Sequence, residues 1–136
     1  MLISVEELIL NYLQPLLIST DFFTTLAPIY SANGLNPAAL RTAFTASEIT
    51  SFTNIINSVT SPQTFYLYFS VSENTWAMVT TQTPPDATYV LMAKIDKVFV
   101  GSNQTGWTIN YTSTTLIAQS PTTNFWNTNN GTATIN

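Results

Sequence analysis

The hydrophobic pattern of this chain changes period once, near Ser61 and Pro62. Before that point apolar residues recur at helical spacing, and after it they alternate with polar ones at the period of two that a strand requires. The clearest helical stretch holds Ile49, Phe52, Ile55, Ile56 and Val59, which gather on one face of a 3.6-residue helix. Thr45 and Glu48 stand before it at the spacing of a capping box, in which each side chain satisfies a backbone N–H left free by the first turn. Ser4 and Glu7 repeat that spacing and predict a helix over residues 5–17, with Leu8, Leu13, Leu16 and Leu17 on its buried stripe and Pro15 kinking or shortening it. Asn36-Pro37 joins a favoured N-cap residue to one whose fixed φ suits the first helical position, and predicts a short helix ending near Phe44. Residues 19–33 fit a helical turn or an ordered loop equally well.

From Thr64 onward, Phe65, Leu67, Phe69 and Val71 fall on one strand face and Tyr66, Tyr68 and Ser70 on the other. Rings on both faces predict that neither is freely solvated. Ser72-Glu73-Asn74 is short enough for a hairpin to a second strand over residues 75–82. Pro84-Pro85-Asp86 then interrupts the ladder, because proline has no N–H to donate. Further strands are predicted over residues 88–100 and 107–118, joined by a loop at 101–106. Four strands in succession without helical crossovers favour an antiparallel meander. The expected fold is α+β: a single domain over 1–119, mainly helical through 61 and mainly β over 62–119, with N-terminal helices packed on a four-stranded meander. Residues 120–136, rich in Thr and Asn, predict an extended C-terminal arm ordered by a partner through Phe125, Trp126 and Ile135.

Composition sharpens this picture. Only 7% of the 136 residues are charged, where roughly a quarter is usual. Eight Phe, six Tyr and three Trp supply enough apolar surface to offset the entropy of ordering, so the low charge does not signal disorder. Arg41, Lys94 and Lys97 are the only cations and the net charge is −4, too few positive charges to neutralise a run of phosphates. Nucleic-acid binding is therefore excluded. The absence of Cys removes disulfides, thiol catalysis and thiolate metal sites. Met1 to Glu7 has no basic region, Glu6 and Glu7 interrupt its apolar run, and no apolar stretch reaches about 18 residues. Neither a secretory signal nor a membrane span is expected.

With no His, acid–base chemistry would fall to seven carboxylates. Glu6, Glu7 and Glu48 sit at helix starts, where negative charge complements the helix dipole, and Glu73 and Asp86 fall in turns. Lys94 and Asp96 share one strand face, as charges that guard a sheet edge do. The sharper reading of that cluster is a buried lysine acting as nucleophile or base. Four glycines form neither a phosphate loop nor a dinucleotide fingerprint. Asn103-Gln104-Thr105, Asn110-Tyr111-Thr112 and Asn130-Gly131-Thr132 match the glycosylation acceptor pattern, as chance alone produces in a chain so rich in Asn, Ser and Thr.

No catalytic residue, cofactor or metal is expected. The aromatic residues suit core and subunit contacts, with Arg41, Trp107, Phe125 and Trp126 the expected interface residues. A surface of neutral hydroxyls and amides removes the usual electrostatic barrier to association. The expectation is a structural subunit of a virion, made in a host cytoplasm and present in many copies in a symmetric assembly. Its expected contacts are with itself and other virion structural proteins, in the role of a tailed-phage capsid cement protein or a neck or tail component. The alternative is an extracellular carbohydrate-binding module, with Trp76, Trp107, Trp126, Tyr66, Tyr68, Tyr89 and Tyr111 as a stacking platform. A small carboxylate enzyme ranks third.

Overall fold

The computed structural model describes residues 2–17, 44–70, 73, 75–116 and 126–135, of which 16–17, 90, 112–116 and 126–131 are described by backbone alone. The first helix, α1, consists of an α turn at Val5–Glu7, a π-helical stretch at Leu8–Leu13 and a closing α turn at Gln14–Leu17. Ser4 caps it, its Oγ accepting from the Glu7 N–H at 3.1 Å. The π stretch lies just before Pro15, where a kink or a shortened helix is expected from the sequence. A proline ring clashes with the carbonyl four residues earlier, and widening the preceding turn relieves that clash: the Gln14 N–H bonds to the Ile9 carbonyl, five residues back. The wider turn brings Leu8, Ile9 and Leu13 together in the core, all fully buried.

Helix α2 spans Ala46–Asn57 with the predicted capping box fully formed. The Thr45 Oγ1 accepts from the Glu48 N–H at 3.1 Å, and the Glu48 Oε1 accepts from the Thr45 N–H at 2.8 Å. Phe52 and Ile56 are buried, while Ile49, Ile55 and Val59 pack partly buried against the same core. The Phe44 N–H donates to the Gln14 Oε1 at 3.0 Å, tying the end of α1 to the start of α2. The predicted helix at 36–44 reaches the described residues only at Phe44, and residues 19–33 lie outside them.

The sheet has five antiparallel strands: β1 Thr64–Ser70, β2 Thr75–Val79, β3 Tyr89–Val100, β4 Asn103–Leu116 and β5 Trp126–Ile135. The fold is thus α+β, with two N-terminal helices packed on an antiparallel sheet. Its order is β2-β1-β3-β4-β5, so β1 lies between its hairpin partner and β3 instead of at an edge as in a simple meander. Phe65, Leu67, Tyr68 and Phe69 of β1 are all buried, so both of its faces are covered, and it pairs with β2 on one edge and β3 on the other. Short β2 takes the edge, and residues 80–88, containing the Pro84-Pro85 break, carry the chain past β1 to β3. The β3–β4 loop is tighter than predicted. Val100 pairs with Asn103 across a turn at Gly101, whose φ of 62° favours glycine although nothing crowds the space a Cβ would occupy.

The C-terminal residues supply the fifth strand. The segment expected to stand off as an arm pairs with β4 from Trp107↔Ile135 to Leu116↔Trp126. Ile135 is buried and Ala133 packs against the core, so this segment is held by its own domain as well as by backbone pairing.

Candidate interaction surface

Strand parity and register assign each side chain to one of two faces. The inner face, under the helices, carries Phe65, Leu67, Phe69, Trp76, Met78, Ala93, Ile95, Trp107, Ile109 and Ile135. The outer face carries one row that crosses all five strands: Val79, Tyr66, Lys94, Asn110 and Thr132. A second row runs Thr64, Asp96, Thr108, Thr134. Lys94 and Asp96 do share a face, as their spacing predicts, but β3 is the middle strand, so they guard no edge. Their partners lie on the neighbouring strands instead. The Lys94 Nζ sits 5.9 Å from the centre of the Tyr66 ring, and the Thr64 hydroxyl donates to the Asp96 Oδ1 at 2.5 Å. Toward β5 the face becomes hydroxyl and amide, with the Thr132 hydroxyl donating to the Asn110 Oδ1 at 3.0 Å. An open depression of about 390 Å³ lies at one end, lined by Pro62, Gln63, Thr64, Tyr66, Asp96 and Lys97.

At the opposite end, Asp86 organises the turn into β3. Its Oδ1 accepts from the Thr88 N–H at 2.7 Å and the Thr88 hydroxyl at 2.5 Å. These bonds, the hydroxyl first, hold the Asp86 carboxyl below its ordinary range. The Thr88 hydroxyl also meets the buried Ser70 Oγ at 2.7 Å. Desolvation at the outer face pushes the Tyr68 and Tyr89 phenols up, aided by Tyr66 at Tyr68 and by Glu73, Asp86 and Glu48 at Tyr89.

Lys97 is the titratable group that the sequence reading underrated. It has the parity of Ile95 and lies on the inner face, only 8% exposed. Its ammonium donates to the Val59 carbonyl and lies 5.7 Å from the Trp107 ring centre. Burial lowers its pKa. Because the unfolded chain then binds the proton more readily, stability rises with pH from the lowered folded value up to the unfolded value. Tyr68 and Tyr89, raised above their unfolded values, act oppositely and withdraw stability as pH passes about 10. Denaturant titrations at rising pH, up to about 10, are therefore expected to show a stability gain in the natural sequence that Lys97→Met abolishes. An equal gain in that variant would assign the effect to another group.

The expected interface residues fall in different places. Trp107 is 2% exposed beneath the helices, where its ring fills the core, and so is not available for contact with another chain in this fold. Trp126 opens β5 opposite Leu116, with its side chain outside the described atoms. Arg41 and Phe125 lie outside the described residues. Of the expected stacking platform, Trp76 is also core, at 3% exposure, and Tyr111 lies on the inner face; Tyr66 and Tyr89 remain half-buried on the outer one. Among the described residues no three potential metal ligands cluster, and no helix is long and apolar enough to cross a membrane. No family model, curated protein or solved structure matches the chain.

Proposed function

We propose that this chain is a structural subunit of a virion, a capsid cement protein or a neck or tail component of a tailed phage, acting in many copies through protein–protein contacts. The observation that carries this reading is the distribution of charge on the folded chain. No charged side chain follows Lys97 in the sequence, so all of β4 and β5 is neutral, and the outer face grades from Tyr66 and Lys94 to a field of Thr and Asn. A neutral face of hydroxyls and amides lacks the repulsion that keeps monomers apart, and it forms wet, close-fitting interfaces without ion pairs.

Such contacts are expected to be insensitive to salt, because screening weakens ion pairs whereas apolar contacts hold or strengthen. Sedimentation of the purified protein, alone and with shell or tail proteins of the particle, over roughly 0.05 to 1 M sodium chloride tests this. Association that persists across the range supports the reading. A strict monomer that binds no particle component but binds a glycan by calorimetry would replace it with the carbohydrate module.

A further inference from the structure

The two edges of the sheet, β2 and β5, are protected to different degrees. At β2 the helix α2 reaches over the edge: the Glu48 Oε2 accepts from the Trp76 N–H at 2.9 Å while its Oε1 stays in the capping box. The strand is also only five residues long. Short length and a covering element are two of the devices that keep an edge from pairing with another chain. β5 has neither. It runs ten residues in unbroken register with β4, without a bulge, a proline or a charged residue, and no described strand pairs with its outer side.

We propose that β5 is the edge through which two copies of this chain join, antiparallel, into one continuous sheet. This inference rests on the assembly reading above and names the surface that the assembly uses. The occupant is a second copy because antiparallel pairing of a strand with itself satisfies a two-fold axis: each contact between residues i and j recurs as one between j and i. Neutrality makes that self-pairing permissible, since no like charges meet across the axis, and it offers a charged partner strand nothing to pair with. The Glu48 cover on β2 limits the result to a closed pair instead of an endless sheet.

The test places charge along the outer face of β5, where Thr132 and Thr134 are exposed and Thr128 shares their parity. The chain of residues 1–136 is expected to dimerise in sedimentation velocity. The triple variant Thr128→Lys, Thr132→Lys, Thr134→Lys is expected to raise the dimer dissociation constant at least about tenfold at low salt. The corresponding triple Glu variant should behave alike, and mixing the two should restore a dimer. In the natural sequence, amide exchange over residues 126–135 should slow as protein concentration rises, a readout that needs no variant. A dimer indifferent to both triple substitutions, or exchange independent of concentration, overturns the proposal. A monomer that still co-sediments with particle proteins overturns β5 pairing and leaves the assembly reading standing. A dimer joined at β5 that binds no particle component supports the pairing and removes the assembly reading.

Discussion

Replacing Phe52 with Ala is expected to lower the unfolding free energy by about 3–5 kcal/mol. Phe52 is 2% exposed and is the largest side chain that α2 sends into the core. Its ring meets Phe44 edge-on at 5.5 Å, Phe44 meets Trp76 edge-on at 5.1 Å, and Trp76 lies 4.6 Å from Phe69. Four rings therefore link α2 to β1 and β2, and edge-to-face pairs add to the area they bury. Removing Phe52 takes away the transfer free energy of a phenyl group and leaves a cavity that strands on one side and a helix on the other cannot readily close. Urea unfolding should show a lower midpoint with an unchanged slope, the mark of lost stability without a changed denatured state. Phe52→Leu, which keeps much of the volume, should lose clearly less. A midpoint that stays put in the Ala variant would show that α2 does not rest on the sheet through this face.

Much of this arrangement is legible in the residues. Helix α2 is over-determined: its capping box and apolar spacing agree, and both appear as read. The faces of β1 follow from alternation, and its rings on both sides mark both faces as covered. Strand order does not follow, because alternation fixes which face a residue takes and says nothing of which strand lies beside it. Ile9 was legible in the spacing: at about 100° per residue it falls between Leu13 and Leu16 on the stripe. Leu8 is the residue that a 3.6-residue template sets apart from them, and the wider π turn before Pro15 brings it into line with Leu13. For Lys97 the signal was present: it shares parity with Ile95, and only its charge argued for solvent. Trp107 likewise shares the parity of Ile109, and reading its ring as a contact residue put side-chain type ahead of period. Arg41 and Phe125 lie outside the described residues.

Removing residues 126–136 is expected to lower the melting temperature by about 10 °C, corresponding to a loss of roughly 3 kcal/mol. Composition favours the opposite result, because a Thr- and Asn-rich segment offers little to a core and reads as an arm that a partner orders. The end of the segment nevertheless alternates, with Ala133 and Ile135 turned inward and Thr132 and Thr134 turned outward. Ile135 stands opposite Trp107 and Ala133 opposite Ile109, so losing β5 exposes two core residues of β4 besides removing two of its own. Ile135→Ala should reproduce part of the loss, about 2 kcal/mol or more, without shortening the chain. Concentration separates this packing within one chain from pairing between chains. Packing within the chain shifts the melting temperature equally at every concentration, whereas a dimer adds stability that grows with protein concentration by mass action. The truncated chain should therefore melt lower than the full chain at high dilution, and the gap should widen as both are concentrated. If the two melt together at high dilution, β5 contributes nothing to the isolated fold and its order depends on a partner.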